Sequence, residues 1–162
     1  MIFRKIKYKI KKTIKLLLWK ISYGKKMKIG ENINFRDNFL IIIEENGKLE
    51  IGNNCFFNNN TTINVLENIK IGNDCIFGEN VHIYDHNHRF SKKQKIIEQG
   101  FKTDKIEIGN NCWIGTNVVI LKGVKIGNNV VIGANCVIKE NIEDNTVIQQ
   151  NNILKKEKIR IK

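Results

Sequence analysis

The chain has 162 residues, of which 41% are hydrophobic and 27% charged, a composition that fits one globular domain with a buried core. Its net charge of +12 comes from the two ends, because residues 1–28 hold eleven Lys or Arg and no acid, and residues 155–162 hold five bases and one acid. The body between them is slightly acidic, which argues against a nucleic-acid-binding protein and favours contact with an anionic surface or a docking arm.

The N-terminal segment has an apolar side. Hydrophobic residues recur every three or four positions with lysines between them, at Phe3, Ile6, Ile10, Ile14, Leu17 and Ile21. This spacing predicts a basic amphipathic helix over residues 1–25. Two roles stay open for it: packing on the end of the following domain or on another subunit, and peripheral contact with the inner face of a membrane. Its apolar run is too short to span a bilayer and no cleavage-site pattern follows, so a cytoplasmic location is expected.

A six-residue period dominates the rest of the chain. It is clearest in six consecutive hexads that begin at Ile108, Ile114, Ile120, Ile126, Ile132 and Ile138. The same period appears, less regularly, from Ile29 to Ile83. A period of six fits neither an α-helix nor a long strand, so each hexad is a short strand plus a corner. Residues 26–150 are therefore predicted to form an all-β solenoid, a parallel β-helix of about five to six coils.

The four cysteines share one position in the repeat. Each stands four residues after a repeat isoleucine, at Cys55, Cys75, Cys112 and Cys136. Small or apolar residues such as Val118 and Val130 occupy this position in other hexads, so the cysteines are predicted to be buried core residues. Disulfide, metal and nucleophile roles are not expected for them.

The repeat is interrupted once. Ile108 follows Ile83 by 25 positions, which is not a multiple of six, so a segment at about residues 89–105 is predicted to leave the coil as an inserted loop. Loops on a rigid scaffold often carry binding and catalytic groups. The three histidines of the chain, His82, His86 and His88, stand just before this loop.

Hexads such as Ile-Gly-Asn-Asn-Cys-Trp and Ile-Gly-Thr-Asn-Val-Val resemble the hexapeptide-repeat acyltransferases, specifically the maltose and galactoside O-acetyltransferases and their surface-polysaccharide relatives. The resemblance covers roughly residues 29–150. It implies a left-handed sense for the β-helix, which the spacing alone does not give. It also implies a homotrimer with active sites between neighbours, and transfer of an acetyl group from acetyl-CoA to a hydroxyl. Direct transfer is expected instead of an acyl-enzyme, because the four thiols are assigned to the core, and no metal is expected.

The resemblance also implies roles for the histidine segment. An ungapped match from Ile71 onward places the catalytic base at His88, with His86 in reserve, whereas His82 belongs to the coil wall. A neutral alcohol is a weak nucleophile, and an imidazole with an ordinary pKa of about 6.5 can take its proton. Asp85 is a candidate to orient an imidazole, and plain solvation is the alternative for it.

The same match assigns the binding residues. Asn58 falls where the family contacts the acceptor, although asparagine also suits a corner. Trp113 falls where a tryptophan flanks the active site, although it could simply pack at the surface. Gly115 and Thr116 fall in the segment that contacts CoA, and Ala134 stacks one coil above Thr116 as a second CoA contact. These residues would form a groove for the pantetheine arm.

The match weakens towards the C-terminus. The family's CoA-contacting lysine falls at Glu140 here, so only the neighbouring Lys139 supplies a positive charge. The basic C-terminal tail, residues 151–162, offers replacement charge for the CoA phosphates.

The identity of the acceptor stays open. The basic ends and the possible membrane contact favour a cell-surface polysaccharide or its sugar precursor over a free antibiotic, and an amino sugar, serine or an antibiotic stays as the alternative acceptor. A zinc enzyme resembling the γ-type carbonic anhydrases is disfavoured, because the three histidines lack that family's spacing across successive coils. A non-catalytic scaffold is the remaining alternative.

Overall fold

The computed structural model describes residues 2–91 and 93–150, and the basic tail predicted for residues 151–162 lies outside this part of the chain. Helix α1 (Ile2–Tyr23) and a short 3-10 helix (Gly24–Lys26) precede a three-sided solenoid of about five turns. All strand pairs of the solenoid are parallel. The predicted parallel β-helix with an N-terminal helix is confirmed.

Each coil contributes three strands. The first coil holds β1 (Met27–Ile29), β2 (Asn34–Phe35) and β3 (Leu40–Ile43), and the second holds β4 (Lys48–Ile51), β5 (Phe56–Phe57) and β6 (Thr62–Val65). The third holds β7 (Asn68–Ile71), β8 (Ile76–Phe77) and β9 (His82–Tyr84). The hairpin strands β10 (His86–His88) and β11 (Phe101–Thr103) follow, separated by a 3-10 helix (Ile96–Glu98). The fourth coil holds β12 (Ile106–Ile108), β13 (Trp113–Ile114) and β14 (Val119–Leu121), the fifth holds β15 (Lys125–Ile126), β16 (Val131–Ile132) and β17 (Val137–Ile138), and β18 (Val147–Ile148) begins a sixth.

Stacking the coils produces three sheets, the faces of a prism. Face A has the order β1-β4-β7-β12-β15, face B has β2-β5-β8-β13-β16-β18, and face C has β3-β6-β9-β14-β17. The repeat isoleucines stack in register inside the prism, as in Ile71, Ile108 and Ile126. All four cysteines are free and buried among these columns, as the spacing predicts.

Asparagines make the corners of the prism. Among the described residues, every non-glycine residue with a positive φ is an asparagine except Asp74. Their side chains also bond from coil to coil, and one ladder runs through Asn38, Asn60, Asn80, Asn117 and Asn135. Asparagine tolerates the left-handed conformation and carries both a donor and an acceptor, which explains its abundance.

The coils differ in length at one corner only. Ile108 pairs with Ile126 eighteen residues later, whereas Ile51 pairs with Ile71 twenty residues later and Ile71 pairs with Ile108 thirty-seven residues later. The extra residues of these coils lie where the chain passes from face C to face A, which we call the C–A corner. The predicted inserted loop is present there, but its antiparallel hairpin already begins at His86. His86 and His88 therefore belong to the loop itself.

Helix α1 packs on the first coil. The Trp19 ring is buried, and its centroid lies 5.4 Å from the ring centroids of both Phe35 and Phe39. The Tyr23 hydroxyl donates to the Ile41 carbonyl at 2.9 Å. The helix thus covers the open end of the prism, the first of the two roles left open by its sequence. Within the described part of the chain, no helix is long and apolar enough to cross a bilayer.

Candidate active site

Asp85 anchors the C–A corner of the third coil. Its side chain is completely buried, and its carboxylate accepts the backbone N–H groups of Leu66, Glu67 and Asn68 at 2.8–2.9 Å. These three residues form the turn of the coil below, so the carboxylate ties two successive corners together. The Asp85 carbonyl also accepts the Asp104 N–H at 2.9 Å, which closes the base of the hairpin.

The histidines flank this anchor in different environments. The Nδ1 atom of His86 lies 3.2 Å from the Asp85 carboxylate, and the His86 side chain is only 11% exposed. His88 is exposed, and its ring centroid lies 4.6 Å from that of Phe101, its partner in the hairpin. The Phe101 ring also contacts the His86 ring edge-on at 5.2 Å. Asp85 therefore lies against His86, and the exposed imidazole of His88 packs on Phe101.

His82 lies outside this group. It stands on face C with its ring 6.1 Å from the Tyr84 ring, and its Nδ1 atom is buried with no hydrogen-bond partner among the described residues. Its place in the coil wall agrees with the sequence.

A second group lies at the corner between faces B and C, which we call the B–C corner. Asn58 and Gly115 occupy equivalent positions of coils two and four, and Thr116 and Ala134 follow at the next position of coils four and five. A Cβ on Gly115 would lie 2.7 Å from the Ala134 nitrogen, so only glycine fits between these coils. Trp113, 57% exposed on face B, stands directly beside this column.

Face C separates the two groups within one chain. From Gly78 at the B–C corner to Asp85 at the C–A corner, extended backbone covers roughly 20 Å at about 3.3 Å per residue. Lys139 follows β17, so it lies at the C–A corner, two coils above Tyr84, and not beside Thr116. Asn58, Trp113, Gly115, Thr116 and Ala134 thus gather at one edge, and Asp85, His86, His88 and Lys139 at the other.

The outward faces of the prism differ in polarity, which the sequence reasoning missed. Face A carries a ladder of alternating charges in register, at Lys28, Glu50, Lys70, Glu107 and Lys125. Face B carries a row of apolar residues in register, at Phe56, Ile76, Trp113, Val131 and Val147. Face C exposes Leu40 and Val137. The register of the repeat contained this signal, because the outward residues recur with the same period as the core.

A cavity of about 450 Å³ lies at the C–A corner beside the hairpin. It is lined by Glu44, Glu45, Asn46, Leu66, Glu67, Phe101 and Thr103. Carboxylates and one aromatic ring thus face a space next to the histidines. Among the described residues, no group of three or more His, Cys, Asp or Glu is placed to hold a metal ion.

A parallel three-sided prism built from hexads and interrupted at one corner defines the hexapeptide-repeat β-helix class. Residues 105–140 match the family described as bacterial transferase hexapeptide (six repeats). A hexapeptide-repeat-containing acetyltransferase from Vibrio cholerae is similar, with a TM-score of 0.71 and 26% identity over 83% of this chain and 73% of that chain.

Two further structures carry the family resemblance. A maltose O-acetyltransferase from Clostridium difficile 630 has a TM-score of 0.68 and 32% identity over 75% of this chain and 64% of that chain. A galactoside acetyltransferase in complex with coenzyme A has a TM-score of 0.67 and 30% identity over 83% of this chain and 72% of that chain. The chain belongs to the hexapeptide-repeat acyltransferase family and is an acyltransferase.

Proposed function

We propose that this protein transfers an acetyl group from acetyl-CoA to a hydroxyl of a sugar, either a cell-surface polysaccharide or its precursor. The observation that carries the proposal is the exposed imidazole of His88, held on Phe101 at the point where the chain leaves the repeat. The acceptor oxygen attacks the thioester carbon while His88 takes its proton. The C–S bond then breaks, and the imidazolium returns the proton to the CoA sulfur.

His88 is a better base than His86 because it is accessible. His86 is largely enclosed and faces the Asp85 carboxylate, so its function is to position the hairpin strand that carries His88. The cysteines do not compete as nucleophiles, because all four are buried in the prism axis and a thioester cannot reach them. Their free thiols also fit a reducing compartment such as the cytoplasm.

The column at the B–C corner supports the CoA site. Thr116 is partly exposed and Ala134 is exposed on successive coils, and Gly115 is buried between them, so a pantetheine arm can lie along small side chains here. Trp113 beside the column provides an exposed aromatic wall. Lys139 at the other corner would have to contact CoA bound by a different subunit.

The polarity of the faces supports a homotrimer. Face B is apolar outside and face A is charged. Face C mixes exposed apolar residues such as Leu40 and Val137 with polar ones such as His82, so faces B and C suit burial better than face A. A contact of face B of one subunit with face C of the next is heterologous, and it closes into a ring when the rotation allows.

The cavity beside the hairpin supports a hydroxyl-rich acceptor. Carboxylates accept hydrogen bonds from sugar hydroxyls, and an amide both accepts and donates them. Phe101, which also contacts both imidazoles, can stack on a sugar ring.

The test is release of the CoA thiol from acetyl-CoA with a panel of sugars, nucleotide sugars and polysaccharide fragments. We expect turnover with one acceptor class, and a loss of about 10²- to 10⁴-fold in kcat on His88→Ala. His86→Ala is the matched comparison and should lose less turnover than His88→Ala, because it removes a contact that positions the hairpin strand but leaves the base in place. Full turnover by His88→Ala, or a loss confined to His86→Ala, would show that the base is wrongly assigned. If none of the hydroxyl acceptors supports turnover, the proposed function is wrong.

A further inference from the structure

Helix α1 has two apolar faces, and the first coil covers only one of them. Leu16, Trp19 and Tyr23 pack against the core of the prism. On the opposite side of the helix lies the outer stripe, which we define as Ile10, Ile14, Leu17, Leu18 and Ile21, with exposures between 53% and 72%. Spacings of three and four residues place these side chains along one side of a helix. The stripe therefore lies on the side that faces away from the coils.

The lysines of the helix divide between the two sides. Lys11 and Lys12 contact the first coil through Asp37 at 2.6 Å and Asn34 at 2.7 Å, and Lys15 donates to the Phe39 carbonyl. Partial burial against the coil lowers the pKa of Lys12 and of Lys15. Lys9 and Lys20 are exposed beside the outer stripe. Lys25 and Lys26 are exposed just after the helix, so the stripe is bordered by cations.

The position of the helix keeps the outer stripe free in a side-by-side assembly. The helix lies over the end of the prism, because Trp19 packs on Phe35 and Phe39 of the first coil. Contacts through faces B and C run along the sides of the prism. The stripe points away from the end, and neighbours on those faces leave it uncovered.

We propose that the outer stripe docks on an anionic lipid bilayer, with α1 in the plane of the interface and the prism standing on the membrane. An apolar stripe bordered by lysines is the pattern of helices that insert one side into the headgroup boundary. Residues 1–28 contain no acid, so nothing in this segment repels anionic headgroups. A second copy fits less well, because two stripes packed together would set the lysines of both helices against each other without a counter-charge.

The experiment is flotation of the full chain with vesicles of phosphatidylcholine alone and of phosphatidylcholine with phosphatidylglycerol. Binding is expected only to the anionic vesicles and should weaken with salt. The variant Leu17→Ser with Ile21→Ser should lower partitioning by about tenfold or more, because two large apolar side chains no longer enter the interface. Ile97→Ser is the matched control, since Ile97 is 84% exposed in the loop and is not part of the helix, and it should bind as the wild type does.

A charge variant completes the test. Lys20→Gln with Lys25→Gln keeps the stripe and should lower binding to anionic vesicles roughly fivefold or more. Circular dichroism and thermal melting check that each variant is folded. Equal flotation of the wild type and the Leu17→Ser/Ile21→Ser variant would overturn the proposal. So would an absence of lipid binding together with a larger assembly in solution that this variant dissociates, which would assign the stripe to a second copy.

Discussion

At the scale of single residues, Asp85 has a structural role that cannot be predicted from the sequence. Its carboxylate accepts three backbone N–H groups of the neighbouring corner while one oxygen also lies 3.2 Å from His86. A carboxylate has acceptor sites for all of these contacts, and an uncharged amide does not. The main role of Asp85 is therefore to hold the base of the hairpin, and its contact with the His86 imidazole is secondary.

Asp85→Asn is expected to destabilise the protein by about 2–4 kcal/mol, because an amide N–H₂ would face backbone donors in a buried site. Chemical denaturation measures this loss. Asp37→Asn is the control: Asp37 is exposed, and the hydrogen bond and charge of Lys11 lower the pKa of its carboxyl, a type of surface pair that contributes little. Equal stability of Asp85→Asn and the wild type would show that the three backbone contacts do not stabilise the corner.

At the scale of structural elements, the corners of the prism explain the asparagine content. Asn80 has a φ of 56°, and its side chain accepts from Asn60 and donates to Asn117, both at 3.0 Å. The residue therefore serves both the backbone turn and the ladder between coils. Glycine satisfies only the first of these needs, since it tolerates the turn but has no side chain to bond.

Asn80→Ala should destabilise the protein by about 2–4 kcal/mol, from left-handed strain and two lost hydrogen bonds. Asn80→Gly should destabilise the protein by about 1 kcal/mol less than Asn80→Ala, because glycine adopts the left-handed conformation without strain and loses only the two hydrogen bonds. Thermal melting of both variants separates the two contributions. Asn87→Ala, an exposed hairpin substitution, is the control and should melt with the wild type. If alanine and glycine cost the same at position 80, backbone strain is not part of the corner's energetics.

The sequence predicts the elements that repeat in every coil, and it does not predict the structure where one coil differs from the next. The isoleucine columns and the buried cysteines follow from one hydrophobic phase that every coil reuses. The sequence does not show at which corner the first two coils carry their extra residues, because a shift of phase shows only that residues are added. The histidines were found as candidates, yet the contact of Asp85 with His86 depends on side-chain direction in a hairpin, which spacing does not encode.

At the scale of the whole molecule, the three faces differ in whether their outward side chains suit contact with water or with another subunit. Face A pairs unlike charges in register, as Lys28 does with Glu50 at 2.9 Å, and such a surface is stable in water. Ile76 and Trp113 on face B are in register and more than half exposed, as is Val137 on face C. A single subunit leaves these apolar side chains in water, which supports the proposed association through faces B and C.

The heterologous contact proposed for the trimer makes a prediction that mixing can test. Ile76→Glu blocks face B and Val137→Glu blocks face C, and each variant alone should sediment as a monomer, because a buried unpaired carboxylate opposes association. Lys70→Gln, in the same coil as Ile76 but on face A, should leave the assembly intact. A mixture of the two Glu variants keeps one intact B–C contact, so it should form a dimer that cannot close into a ring. Sedimentation velocity measures all four samples, and a homodimer of either Glu variant would show that the contact is not heterologous.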